Sequence, residues 1–99
     1  MTERKVTIER EELNGANEFV LRINGEKFGF LEFTRPEVGV MRIEYVEVSP
    51  ELRGTGLGQQ LVEKAVAFAT ETKLKVIPIC SYARAVMQRA EQAKQAEQA

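Results

Sequence analysis

The sequence predicts an α+β domain: an antiparallel four-strand meander, a parallel fifth strand and two helices. Three observations carry that prediction. Apolar and polar residues alternate through much of the first half. Asn14-Gly15 and Asn24-Gly25 punctuate that half with turn signals. From Gly56 onward the apolar spacing changes to the helical period.

Lys5 to Glu9 alternates, with Val6 and Ile8 on one face, and reads as a short first strand. Arg10 to Asn17 is mostly polar and reads as a connection that turns at Asn14-Gly15. Glu18 to Ile23 alternates again, and Asn24-Gly25 returns the chain into a strand over Glu26 to Phe33. In that strand Phe28 and Phe30 share a face, and Gly29 permits close approach of another backbone. A loop from Arg35-Pro36 to Gly39 leads to the fourth strand, Val40 to Val48. There Met41, Ile43 and Tyr45 keep one parity, while Val46 and Val48 keep the other. A β-bulge at Tyr45/Val46 produces that flip, and a central strand covered on both faces is the competing explanation.

Ser49-Pro50 ends the fourth strand. Leu57, Leu61, Ala65, Phe68 and Ala69 recur at helical spacing, widened by Val62 and Val66, and the helix stops near Thr72. Lys75 to Ile79 is a short apolar run, read as the fifth strand, and Pro78 marks an edge or a break. Ser81 is suited to cap a second helix from about Tyr82, with Ala83, Val86, Met87 and Ala90 on its inner face. Residues 91–99 favour helix but have little to bury, so a frayed helix end is expected. Two strands joined through a helix run parallel by a right-handed crossover. Ligands of such sheets sit beyond the strands' carboxyl ends, here over Val48 to Gly58 and beside Ile79 to Tyr82.

Bulk properties narrow the function. Ninety-nine residues are expected to form one domain with one core. A net charge of -1 gives no general attraction for nucleic acid, and no local basic patch stands out. The single Cys80 excludes an intrachain disulfide framework. With no histidine, histidine metal sites, histidine bases and Ser-His-Asp triads are excluded, and no metal site is expected. The start MTERKVTIER has no apolar run of the signal-peptide kind, and no run approaches the about 20 residues of a membrane span, so a cytoplasmic location is expected.

The stretch most suited to a ligand is Arg53-Gly54-Thr55-Gly56-Leu57-Gly58. A glycine-rich turn that opens a helix offers free N–H groups, little side-chain bulk and the positive end of the helix dipole, which together suit a phosphate. No Gly-Lys-Ser/Thr follows, so it is not a Walker A loop, and the parallel βαβ order with an acidic residue at the next strand's end, which a dinucleotide fingerprint has, is missing. On the glycines alone, an ordinary tight turn explains the pattern equally well.

The surroundings add to this. Arg53-x-x-Gly56-x-Gly58 resembles the Arg/Gln-x-x-Gly-x-Gly/Ala signature of the GNAT superfamily of N-acetyltransferases. EVSPELRGTGLGQQLVEKAVAFA followed by LKVIPICSY is similar to a very small GNAT-like acetyltransferase-domain family, in which Arg-Gly-x-Gly and Pro-x-Cys segments recur. The resemblance spans about Phe28 to Met87. It implies a minimal GNAT-like fold that binds acetyl-CoA. It implies that the turn amides from Gly54, Thr55, Gly56, Leu57 and Gly58, with Gln59 next, hold the CoA pyrophosphate beside Arg53. It also implies that the backbone of Val46, Glu47 and Val48 pairs with the pantetheine arm, with a bulge splaying this strand from the fifth.

The chain departs from that superfamily between its first two strands, where helices that help build the acceptor pocket are absent. The acceptor site is therefore expected to be open, or completed by a second copy or another protein. The small family commonly has a histidine where Tyr45 stands and another beyond the final helix, and this chain has neither. For acetyl transfer to an amine, Glu47 is the first candidate base and Glu44 the second. Tyr82, or else Tyr45, is the candidate proton donor to the leaving thiolate. Cys80, at the junction of the fifth strand and last helix, is a candidate for the thioester end of the cleft or a small core residue. Two readings follow: an acetyl-CoA-dependent N-acetyltransferase, and a non-catalytic acyl-CoA-binding or interaction module with the same fold. The acceptor amine is not identified by any residue.

Overall fold

The computed structural model describes residues 4–98, with side chains over 4–12 and 14–93. Five strands form one sheet in the order β1-β2-β3-β4-β5. These are β1 (Val6–Leu13), β2 (Ala16–Ile23), β3 (Glu26–Thr34), β4 (Val40–Val48) and β5 (Lys75–Pro78). Helix α1 (Leu57–Glu71) joins β4 to β5, and α2 (Ser81–Gln98) follows β5. The first four strands pair antiparallel and β5 pairs parallel with β4, the arrangement expected from the sequence.

Both Asn-Gly pairs are two-residue hairpin turns. Asn14 and Gly15 have φ of 53° and 81°, and Asn24 and Gly25 have 51° and 86°. Asparagine and glycine tolerate this left-handed backbone best, so the turn is written into the sequence. The first hairpin is longer than its polarity suggests. Arg10 to Leu13 belong to β1 and pair with Phe19 to Ala16 in register. An edge strand with little cover needs no apolar alternation, so Arg10 to Asn17 looks like a loop while its backbone continues the ladder. Glu11 is bonded here to Arg22, and that hydrogen bond, with the guanidinium charge, lowers the Glu11 carboxyl pKa and raises that of Arg22.

One hydrophobic core lies between one face of the sheet and the inner faces of both helices. Phe19, Leu21, Leu31, Phe33, Met41 and Ile43 face Leu61, Val62 and Ala65 of α1 and Ala83 and Val86 of α2. Phe68 closes the core edge, its ring centroid 5.7 Å from Phe19 and 6.0 Å from Phe33. In β3 the inward residues are Gly29, Leu31 and Phe33, with Phe30 on the other face. Gly29 has a backbone reason: a Cβ there would lie 2.8 Å from the Glu47 carbonyl oxygen. The opposite sheet face has no helix over it among the described residues, because both helices contribute to the single inner core.

The bulge in β4 lies one residue before the expected Tyr45/Val46. Glu32 pairs with Tyr45 and Phe33 with Ile43, which leaves Glu44 as the extra residue. Tyr45 consequently belongs to the outer face with Phe30, ring centroids 5.8 Å apart. Tyrosine fits either a core or a half-exposed surface, so its parity misplaced the flip by one residue. β5 stays in register with β4 only as far as Ile43 opposite Pro78. Pro78 has no N–H with which to extend the ladder. The next two amides, Ile79 and Cys80, both point to the Ile43 carbonyl, at 3.0 and 3.3 Å. Beyond that point β4 has no partner in β5, and the sheet is open between them. The second helix begins at Ser81, and the Cys80 carbonyl takes the Arg84 N–H at 3.0 Å, so Cys80 rather than Ser81 holds the capping position. Residue 99, the last of the tail expected to fray, lies outside the described residues, as do residues 1–3 of the polar start.

Candidate functional site

Past the bulge, β4 runs into a 3-10 turn over Pro50–Leu52 and then the glycine turn. The 3-10 turn closes through Leu52 N–H to the Ser49 carbonyl at 2.9 Å and Arg53 N–H to Pro50 at 3.2 Å. Leu52 is the one apolar residue of this polar segment and is buried, anchoring the loop to the core. Gly54 and Gly56 have φ of 78° and 80°, where a side chain would strain the backbone.

The hydrogen bonds divide the turn's amides into two sets. Thr55 N–H bonds to the Leu52 carbonyl at 3.2 Å, and Leu57 N–H reaches Thr55 Oγ1 at 3.3 Å. The Thr55 hydroxyl itself donates to the Leu52 carbonyl at 2.6 Å. Thr55 and Leu57 therefore close the turn, and their amides are occupied. The N–H groups of Gly54, Gly56, Gly58 and Gln59 have no protein partner among the described residues. No acidic side chain lies in the first turn of α1, so the positive end of its dipole is not neutralised there. Arg53 is exposed, and no carboxylate pairs with it among the described residues.

These groups border a cavity of about 260 Å³ lined by Val46, Val48, Ser49, Leu52, Arg53 and the glycines 54, 56 and 58, with Tyr82 closing one side. It lies beyond the carboxyl end of β4, at the mouth of the gap between β4 and β5. This is smaller than the roughly 300–1,000 Å³ of pockets that enclose a whole small ligand. It suits a long ligand of which one charged segment is enclosed. Tyr82, at the start of α2, reaches across to α1: a Cβ on Gly58 would lie 2.6 Å from its hydroxyl oxygen. A side chain at Gly58 would therefore have to displace the end of Tyr82.

Of the residues singled out from sequence, Val46, Val48, Arg53, Gly54, Gly56, Gly58 and Tyr82 meet at this cavity. Leu57 is buried beneath it, and Gln59 is exposed with its amide side chain on Glu63 at 3.1 Å. Glu47 is not brought to the cavity by its side chain. It stands between Val46 and Val48, opposite Phe30 on the outer face, because successive residues of a strand alternate. Glu44, at the bulge, is held by Arg42 at 2.6 Å. Cys80 is half-buried against the core and does not line the cavity. Sequence reasoning missed Ser49 and Leu52 as lining residues. The signal for Leu52 was available, as a lone apolar residue in SPELRGTG.

Solved structures similar to this chain in fold include acetyltransferases. The IAA acetyltransferase of Bacillus cereus ATCC 14579 superposes with a TM-score of 0.69 at 18% identity, over 87% of this chain and 75% of that one. A GNAT family N-acetyltransferase of Escherichia coli, YhbS, in complex with CoA gives a TM-score of 0.69 at 15% identity, over 85% of this chain and 69% of that one. In sequence, an uncharacterized N-acetyltransferase of Archaeoglobus fulgidus is 40% identical over 65 residues, 58% of this chain. The aligned part spans only 43% of that relative's length. The GCN5-related N-acetyl-transferase family model matches residues 18–96, from the second strand through both helices and across the whole glycine turn. A match over that much of the sequence makes this chain a member of the GCN5-related N-acetyltransferase family.

Proposed function

We propose that this chain binds acetyl-CoA and catalyses its use as acetyl donor to an amine. One observation carries the reading: three unpartnered amides, of Gly54, Gly56 and Gly58, border a cavity beside Arg53 at an α-helix N-terminus, with the unpartnered Gln59 amide next in the chain. They fit a diphosphate, which takes charge-assisted hydrogen bonds from backbone N–H groups. The β4 backbone at Val46 to Val48, unpaired with β5, is suited to take an extended arm as an added strand. Acetyl-CoA would supply an acetyl group activated as a thioester.

The chain's own groups then have defined tasks. Backbone N–H groups at the opened end of β4 polarise the thioester carbonyl. The acceptor nitrogen forms its bond to the carbonyl carbon as the carbon–sulfur bond breaks. The Tyr82 hydroxyl, on the cavity wall, donates a proton to the sulfur and regains one from the new amide nitrogen through solvent. The ammonium's first proton leaves to solvent before attack. Glu47 and Cys80 have no step here, since neither side chain lines the cavity. A cytoplasmic location belongs to the same reading and is tested by fractionation.

Calorimetry with CoA and acetyl-CoA is the test. Saturable binding below about 1 mM is expected, followed by thiol release that depends on added amine. Absence of binding at that concentration sinks the proposal. A second reading, a CoA-binding module without transfer, is favoured by the cavity lining, which includes no carboxylate to act as base. Tight CoA binding with slow, amine-independent hydrolysis would select it.

A further inference from the structure

Thr55 stands in the middle of the glycine turn and does not line the cavity. Its neighbours Gly54 and Gly56 both border the cavity, and among the described residues neither amide has a protein partner. Glycines at 54, 56 and 58 give this stretch wide backbone freedom, because glycine has no Cβ to restrict it. The amides meet a ligand ready-made only if something holds them in one orientation. Burial does not, since Arg53, Gly54, Thr55 and Gly56 are all exposed.

The Thr55 side chain supplies the restraint. Its hydroxyl donates to the Leu52 carbonyl at 2.6 Å and accepts the Leu57 N–H at 3.3 Å. Water is available to an exposed threonine, yet its one donor and an acceptor site are engaged by backbone three residues before it and two after. The same Leu52 carbonyl takes the Thr55 N–H at 3.2 Å, so this residue is held to it twice. Leu52 is buried, which ties the turn to the core. Gly54 therefore lies between Thr55 and Arg53, whose N–H bonds to the Pro50 carbonyl at 3.2 Å. Gly56 lies between Thr55 and the start of α1, where its own carbonyl accepts the Gln60 N–H at 3.1 Å. Thr55 is the fixed point common to both glycines.

We infer that Thr55 is a positioning residue for the diphosphate: its hydroxyl presets the Gly54 and Gly56 amides in the empty protein and makes no contact with the ligand itself. The inference rests on the CoA-binding reading above. A ligand that meets amides already oriented does not have to order the turn on binding. Fixing the backbone of one residue is equivalent to about a fivefold to 30-fold change in a dissociation constant. The role belongs to the hydroxyl and not to the shape of the side chain. Serine therefore fulfils it, and valine, of nearly the same shape without the hydroxyl, does not.

The test is calorimetry with CoA on the full chain carrying Thr55→Val or Thr55→Ser, beside amide relaxation of Gly54 and Gly56 by NMR. Thr55→Val should weaken CoA binding about tenfold in a protein that still melts cooperatively, and Thr55→Ser should stay within about threefold of the parent. In the unliganded parent the two amides should show order parameters near about 0.85, the value of rigid backbone. In Thr55→Val they should fall below about 0.6 without ligand and recover at saturating CoA. Undiminished CoA affinity in Thr55→Val overturns the inference. An equal loss in Thr55→Val and Thr55→Ser also overturns it, because the effect then belongs to the side chain's shape. Order parameters below about 0.6 in the unliganded parent overturn it as well, since the ligand then sets the turn. That last measurement needs no variant and decides the matter even if Thr55→Val does not fold. A parent that fails to bind CoA refutes the diphosphate reading itself, and with it the ligand for which the turn is held; a parent that binds CoA with Thr55→Val unimpaired refutes the role of Thr55 alone.

Discussion

Replacing Gly58 with alanine should separate ligand binding from stability. The added Cβ would lie 2.6 Å from the Tyr82 hydroxyl oxygen, 3.3 Å from its Cζ and 3.4 Å from a Val48 methyl. The first two contacts are with the far end of a side chain that is 41% exposed, so Tyr82 gives way. Displacing it from a staggered rotamer costs about 0.5–1.5 kcal/mol. Alanine returns up to about 1 kcal/mol over glycine within a helix. The two nearly cancel, and the melting temperature should stay within about 5 °C of the parent. Binding should respond differently. The methyl group and the displaced ring both intrude where the Gly58 amide faces the cavity. Losing one amide bond to a charged group costs about 1.5–3 kcal/mol. That is about a tenfold to 150-fold weaker dissociation constant for CoA. Calorimetry beside thermal melting reads both quantities. Undiminished CoA affinity in Gly58→Ala would refute the placement of the diphosphate. A melting temperature lowered by more than about 10 °C would refute the claim that Tyr82 yields.

Three further outcomes are expected. Gly29→Ala should destabilise by about 1–3 kcal/mol, read by urea denaturation, because its Cβ meets the Glu47 carbonyl at 2.8 Å and the Val48 Cα at 3.2 Å, backbone atoms that cannot turn aside. Arg53→Gln should weaken CoA binding about fivefold at low ionic strength and progressively less as salt is added, with unchanged melting, since the side chain is exposed and unpaired. The Glu11 carboxyl, lowered in pKa by its hydrogen bond from Arg22, contributes stability above its unfolded pKa and loses it as pH falls through the folded value. Glu11→Gln should therefore flatten the acid limb of a melting-versus-pH curve and leave the alkaline limb as it was; an identical acid limb would refute this.

Local chemistry was readable wherever one residue type has one physical solution. Asn14-Gly15 and Asn24-Gly25 demand positive φ, and both are hairpin turns. The helical spacing from Leu57 to Ala69 has no other way to bury its stripe, and α1 covers those residues. The glycine turn was readable for the same reason, as Gly54 and Gly56 do require left-handed backbone. Where a residue suits two environments, the reading slipped. Tyr45 fits either sheet face, and the bulge moved to Glu44. Arg10 to Leu13 fits a loop or an exposed edge, and it is an edge.

Strand order, the glycine turn and the helix that follows it are set by short-range preferences, so the chain's order of residues contains them. Which amides remain free, which side of β4 Glu47 takes and what occupies the space above Gly58 depend on packing between segments distant in sequence. Thr55 and Leu57 look like ligand-binding positions until their amides are found closing the turn. Glu47 looks like a base beside the cleft until a single extra residue at Glu44 fixes its face. Gly58 reads as a glycine required by the turn alone until Tyr82, from the start of α2, is found lying against it. In each case a small geometric change, one hydrogen bond or one residue of register, redirects a side chain by the full width of the sheet or turn, and only three-dimensional packing sets that choice.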